Sequence, residues 1–470
     1  MGKVSRKPIS WKNISILIGI AVAFNGGTRA VAQSCAAKVA NSDVSLCLQN
    51  SGAGPYVAAI SAGKSFELNN KVGESLPATV EVNGASVPVR WKLQPHLRKA
   101  DSRHVVFVYE AAYPHLRLSW VWESRASSGA IQHYIEVENL SGTELWLPMI
   151  DSLRLAVHYA AGTSLQHLYV EKGSDTPSDH GTHIEAIAEG YLWTGTSSTY
   201  ALPLPGQPRE IIPAEFVFDR EGTQRGWYAG IEFSGRTRIS LERKGDEVST
   251  VLGLNPDPGL YRTRLTAGGS FKTPTVFLGA FEGGADGAAN QLRPWVRKVL
   301  GNLLTWKDPH YPLLVNNSWG SGMQVDEKLA LRMIGDSKEL GLEMFHIDAG
   351  WFRGVGDWYP SPTKFPHGLA PIADAAHKVG LRFGIWVDWT QAALDTQPGA
   401  LNVNDPKVRD WLVTDLPPDW KPEEFKGQTV DLGVPAAHDY LANEVKRMVD
   451  DYHLDMIEHD GNERLHAGHA

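Results

Sequence analysis

Between about Val44 and Ala280 the hydrophobic and polar positions alternate in short runs. Residues 79–82, 104–109, 116–122 and 133–138 each read as strands, as do 214–218, 226–233, 237–242 and 275–279, with clusters of Gly, Asn, Pro and Asp turning the chain between them. No amphipathic helical period interrupts the series, so residues 33–287 are expected to form a large antiparallel β-sandwich. The period changes at 288–300, where Leu292, Trp295, Val296, Val299 and Leu300 take helical spacing. Pro309 and Pro312 mark the end of this linker helix, which is placed at 288–310.

From residue 311 strand and helix alternate. Asp326 and Glu327 begin a helix whose face is Leu329, Ala330, Met333, Ile334 and Leu340, and Gly341 stops it. Leu369, Ile372, Ala373, Ala376 and Val379 form a second helix before Gly380, and Leu441, Val445, Met448 and Val449 a third after Pro435. Residues 340–348 are echoed by 379–388, each placing a glycine before an apolar strand that ends in an acid, and 454–460 repeats the strand and the acid. With 313–319 as the first strand the order is βαβαβαβ, which calls for a parallel sheet.

Near-continuous apolar strands, buried on both faces and each closing on a carboxylate, predict a βα barrel with its active site at the strand C-terminal ends. An open nucleotide-binding sheet fits less well, because 317–322 lacks the GxGxxG spacing and is followed by acids that repel phosphate. Four strands are visible where a closed barrel of this type has about twice as many. The expected fold is therefore multidomain, an N-terminal antiparallel β-sandwich followed by an incomplete (β/α) TIM-type barrel whose first half is 311–470.

The 470 residues are 42% hydrophobic, 21% charged and 9% aromatic, enough apolar material for large cores and unlike a disordered, collagenous or coiled-coil chain. Residues 1–32 read as a signal peptide, with basic residues up to Lys12, an apolar run at 14–24 and Ala30-Val31-Ala32 as a cleavage site. That run is shorter than the ~20 residues a membrane anchor needs. A periplasmic or secreted protein with no anchor after leader removal is expected. In such a compartment Cys35 and Cys47 are expected to pair as a disulfide.

The leader holds five basic residues and no acid, so its removal takes the net charge from −8 to −13. A body this acidic repels phosphate backbones, which excludes nucleic acid as a natural partner. A homo-oligomer is left open.

Asp348, Asp388 and Asp460 converge at one rim if the strands are parallel, with Glu458 facing the same way as Asp460 one pleat earlier. Trp319, Trp351, Trp386 and Trp389 accompany them. Acids among indole faces, without a cluster of Lys or Arg, suit a neutral polyhydroxylated ligand, a sugar. Glycoside hydrolysis commonly employs two carboxyl groups around an oxocarbenium-like transition state. An isolated Asp of this kind is more often a helix cap or a buried structural acid; repetition at equivalent strand ends is what favours function. The rival chemistry is metal binding, since His346 shares a face with Asp348, whereas His459 points away from Glu458 and Asp460. The reading adopted assigns no metal and no cofactor.

Asn317-Ser318-Trp319, Ile347-Asp348-Ala349-Gly350-Trp351-Phe352, Gly356-Asp357-Trp358, Phe365-Pro366-His367-Gly368-Leu369 and Phe383-Gly384-Ile385-Trp386 occur in that order. Upstream stand Arg209-Glu210-Ile211-Ile212-Pro213, Gly253-Leu254-Asn255-Pro256 and Gly269-Ser270-Phe271-Lys272-Thr273-Pro274. As a series these motifs resemble the melibiase-type α-galactosidases of glycoside hydrolase family 36. The resemblance implies a retaining α-glycosidase acting on α-linked oligosaccharides or glycosides, with Asp460 as the nucleophile. It further implies that Asp348 holds sugar hydroxyls, that Trp319, Trp351 and Trp386 wall the pocket, and that Asp388, Glu458 and Asn462 contact the carbohydrate.

Three positions depart from the family pattern. Ala349 stands in place of a second aspartate, Glu458 in place of a lysine, and Asp388-Trp389-Thr390 in place of Glu-Pro-Glu. They leave the sugar and linkage open. The family's acid/base comes from a later strand, and ten residues follow Asp460, so this chain is expected to lack it and to be inactive alone. The alternatives are a non-catalytic carbohydrate-binding protein on a degenerate glycosidase scaffold and a metal-dependent barrel hydrolase.

Overall fold

Alternation of buried and solvent-facing residues is what builds the N-terminal half. In Val44–Ser51, for example, Val44, Leu46 and Leu48 are buried while the residues between them are half-exposed. The computed structural model describes residues 35–52, 54–63, 66–70, 73–74, 76–172, 181–197, 209–256, 261–301, 308–394, 400–413 and 427–460. The leader at 1–32 and Asn462 lie outside the described residues.

All eight expected strands are present, most of them extended at one or both ends, as in His104–Ala112, His115–Glu123 and Ile131–Asn139. An eight-stranded sheet, with Leu153–His158, Glu247–Leu254 and Thr237–Lys244 adjacent in it, accompanies an eleven-stranded sheet centred on Gly226–Glu232, Thr275–Phe281 and Ile131–Asn139. The pairings between their strands are antiparallel. One continuous apolar core contains side chains from both sheets, and Trp120, Trp122 and Trp227 are among its fully buried members. These three indoles are core filler, the ordinary role of a large aromatic ring. Both Cys35 and Cys47 are disulfide-bonded.

The linking helix runs Gly284–Trp295 and widens into a π turn at Val296–Leu300. It begins four residues before the expected 288, because Gly283 and Gly284 adopt φ of +91° and +63° and turn the chain straight out of Thr275–Phe281. No helix among the described residues is long and apolar enough to cross a membrane.

In the C-terminal half the four strands are Val315–Asn317, Met344–Ile347, Arg382–Val387 and Met456–His459, hydrogen-bonded in that order and all parallel. These four strands stand in sequential order, without the reversal that marks the switch point of an open doubly wound sheet. Asp326 caps the helix Glu327–Glu339 by accepting from Leu329 N, and Gly341 at φ +71° ends it. Helices Ala370–Lys378 and Pro435–Asp451 fill the next two crossovers.

Three details differ from expectation. The first strand has three residues instead of the expected seven, because Asn317 accepts from Trp319 N and starts the 3₁₀ turn Ser318–Gln324. Leu340 is 74% exposed, since it is the capping residue that Gly341 swings away from the helix face. The second and third strands are buried on both faces as expected, but the fourth, Met456–His459, is half-buried to exposed. Phe345, Ile347, Phe383 and Ile385 pack with Ile334, Ile372 and Ala373 of the helices. Residues in register with the intervening positions share the opposite face: Met344, His346, Gly384, Trp386, Met456 and Glu458.

Candidate active site at the strand ends

Asp348 follows the second strand directly and is buried. Its Oδ2 accepts from Asn317 Nδ2 at 2.8 Å, its Oδ1 accepts from Ala349 N at 2.7 Å, and its own N–H donates to Ser318 Oγ at 2.9 Å. The end of the first strand thus fixes the carboxylate at the end of the second. The following turn needs Gly350, whose φ is +110° and where a Cβ would lie 2.8 Å from the Met323 carbonyl oxygen. Lys364 Nζ clamps this turn by donating to Met323 O at 2.6 Å and Gly350 O at 2.8 Å.

Asp460 follows the fourth strand, half-buried, and its Oδ2 accepts from Trp386 Nε1 at 2.9 Å. Its N–H continues the parallel ladder to Val387 O at 3.2 Å. Glu458, in register with Trp386, lies 3.3 Å through its Oε2 from His346 Nε2. Burial raises the Glu458 carboxyl above the ordinary carboxylate range, and the Asp348 and Asp460 charges push it the same way. Burial lowers the His346 imidazole against the opposing influence of the Ile385 backbone and Asp348, so its neutral form is favoured.

The structure therefore draws together Asp348, Glu458 and His346 across the sheet and couples Asp460 to Trp386. Asp388 is buried after the third strand, where its Oδ1 accepts from Thr390 Oγ1 at 2.7 Å in a local turn. Trp319 stands 52% exposed on the 3₁₀ turn and offers a stacking face. Trp389 stacks on His459 with ring centroids 4.6 Å apart.

Trp351, expected to wall the pocket, is fully buried instead. It packs against Phe352, Trp358 and Tyr452 and donates to Trp386 O at 2.8 Å, so it supports Trp386 from below and presents no surface to a ligand. Trp351→Ala is expected to cost about 3–5 kcal/mol of stability in a urea melt, the range for removing a buried indole.

Sequence reasoning passed over two residues. Asn317 was read only as part of a motif, yet it is the donor that holds Asp348. Gly384 pairs in register with His346, and a Cβ there would lie 3.1 Å from His346 Cδ2 and 2.4 Å from Met344 Cε. Its signal was available, since a glycine inside an apolar strand marks a close approach.

Residues 270–469 match the family model described as Melibiase. The alpha-galactosidase Mel36A of Lactobacillus acidophilus is 25% identical over 333 residues, 66% of this chain and 43% of that protein. Alpha-galactosidase 1 of Pediococcus pentosaceus is 26% identical over 242 residues, 50% of this chain and 32% of that protein. The matched regions thus span less than half the length of these curated relatives. Among solved structures, the family 36 alpha-galactosidase AgaA of Geobacillus stearothermophilus superposes with a TM-score of 0.71 at 18% identity, over 90% of this chain and 65% of that one. At that identity the likeness is one of fold. Related structures hold AgaA variants in complex with stachyose and with raffinose.

Proposed function

We propose, for a chain that belongs to the melibiase-type family of glycoside hydrolase family 36, that it carries the sugar-holding and nucleophilic half of an exported retaining α-glycosidase acting on α-linked galactosides. The observation that carries this reading is the Asp460 carboxylate at the end of the fourth strand, held by Trp386 Nε1. A nucleophile of this type attacks the anomeric carbon in its ionised form, and a neutral N–H donor fixes its orientation without neutralising it.

Asp348 supplies the complementary function. Its Oδ2 accepts from Asn317 and its Oδ1 from Ala349, and each carboxylate oxygen has room for a second donor, which suits a sugar hydroxyl. Trp319 provides an exposed indole for the apolar face of a pyranose. In the first step the Asp460 carboxylate bonds to the anomeric carbon while the bond to the leaving oxygen breaks and that oxygen takes a proton from solvent; in the second, water adds to the anomeric carbon, the ester bond breaks, and the carboxylate and one proton are released. No general acid is assigned among the described residues. The binding of stachyose and raffinose by AgaA variants supports α-galactosyl oligosaccharides as the substrate class.

The test is covalent trapping with a slowly turning over fluorinated α-galactosyl donor whose leaving group needs no protonation. A sugar-mass adduct on the peptide containing Asp460 is the expected result. An adduct on Asp348, Asp388 or Glu458 overturns the nucleophile assignment, and saturable sugar binding without any adduct overturns catalysis in favour of a carbohydrate-binding protein.

A further inference from the structure

One face of the parallel sheet brings together three side chains whose chemistry differs from that of a pair of glycosidase carboxyls. His346, Asp348 and Glu458 offer one imidazole nitrogen and two carboxylate oxygens, all within 4.8 Å of one another. The second and fourth strands are not neighbours, for the third lies between them. The contact crosses the third strand at Gly384, the position in register with His346 where any side chain would press on the imidazole.

His346 is 1% exposed, and its Nε2 makes no hydrogen bond although it points within 3.3 Å of Glu458 Oε2. A buried polar atom left without a partner costs about 1–3 kcal/mol, a cost that a ligand at that atom removes. Asp348, Glu458 and Asp460 add negative charge, and among the described residues no Lys or Arg pairs with any of the three.

We propose that His346, Asp348 and Glu458 bind a divalent transition-metal cation of the zinc class. The donor set, one nitrogen and two carboxylate oxygens, is that of borderline cations rather than of calcium or magnesium, which take oxygen alone. The 3.3 Å between His346 Nε2 and Glu458 Oε2 is also the edge of a tetrahedron with arms of about 2 Å, the length of zinc bonds to nitrogen and oxygen. Glu458 is the adjustable ligand, its side chain 41% exposed, whereas Asp348 and His346 are buried and fixed. Three protein ligands leave a coordination position for water or a hydroxyl of the ligand above the rim. This inference concerns binding and does not depend on Asp460 being a nucleophile.

The test is a calorimetric titration of the chelator-treated chain with Zn²⁺ alone. One equivalent is expected to bind, and His346→Gln and Glu458→Gln are each expected to weaken it by more than about 10-fold. Gly384→Val, which removes no ligand but fills the space His346 occupies, is expected to weaken it as well. His367→Gln, in the exposed pair with Glu327, is expected to leave it unchanged. Binding that survives His346→Gln within twofold, or that falls in His367→Gln, overturns the site. Because the variants at buried positions are open to misfolding, the unmodified chain is also titrated with Co²⁺. The intense visible absorption of a four-coordinate site is expected at one equivalent, and a weak six-coordinate spectrum overturns the proposal.

Discussion

Asp460→Asn is expected to lower turnover of an aryl α-galactoside by at least about 10³-fold while leaving the melting temperature within a degree or two of the parent. The amide keeps an oxygen able to accept from Trp386 Nε1, so the 2.9 Å contact that orients the side chain survives. What it loses is the negative charge and the nucleophilic oxygen, without which no glycosyl ester forms. An activated aryl leaving group matters here. It relieves the demand for a general acid, so kcat/KM, which runs only as far as release of the aryl group, reads the first bond-forming step. A loss of less than about tenfold would remove Asp460 from the nucleophilic role. Trp386→Phe is the companion variant, because it deletes the N–H donor and retains most of the ring. It is expected to lower the rate by less than Asp460→Asn, the outcome the proposed nucleophilic role of Asp460 requires of a residue that only orients it.

The sandwich strands and the βα alternation were legible because each depends on a local period, two residues or about three and a half, that the chain carries on its surface pattern. The separation of the two sheet faces in the C-terminal half was not. Apolar residues such as Met344, Met456 and Trp386 occupy the same face as His346 and Glu458, so the sequence alone reads as continuously hydrophobic while the register assigns alternate residues to opposite sides. The indoles show a similar limit. Trp319 and Trp351 flank one rim in sequence and differ in exposure because of the turn at Gly350 and the Lys364 clamp, which rolls Trp351 inward. The carboxylates were legible as a set, since each stands one residue beyond an apolar strand. Their partners were not, because Asn317, His346 and Trp386 come from other strands and no local spacing announces them.

The N-terminal half is expected to be most stable in a plateau between about pH 4.5 and 6.5 and to lose stability on both sides. Two pairs of buried groups produce this, Glu74 with His133 and Glu215 with His167, each with carboxylate oxygen and imidazole nitrogen 3.8 Å apart. Burial dominates all four shifts. It pushes Glu74 and Glu215 up to about 8 and His133 and His167 down to about 3, so the folded protein holds both pairs uncharged, and neither acts as an ion pair. The groups facing them are few. Glu74 meets the Arg154 backbone N–H, the Arg154 and Asp151 charges and Trp120, whereas Glu215 accepts from Thr250, and His167 meets Tyr191.

The sign of the effect follows from the protons each state binds. Above pH 6.5 the unfolded chain has lost the protons of both Glu and His, while the folded chain retains one on each Glu until pH about 8, so stability falls as pH rises through that window. Below pH 4.5 the unfolded His and Glu are all protonated while the folded His stay neutral down to about 3, so stability falls as pH drops. Between the two windows the proton counts match and the slope vanishes. From pH 6.5 to 8 each buried Glu is worth about 2 kcal/mol, by 1.36 kcal/mol per pH unit. Glu215→Gln keeps an acceptor for Thr250 and cannot ionise, so urea melts of this variant and the parent at pH 6.5 and pH 8 should diverge by that amount, the variant gaining at the higher pH. A difference that stays constant across the two pH values would show that Glu215 is ionised in the folded protein and that its pair with His167 is a charged one.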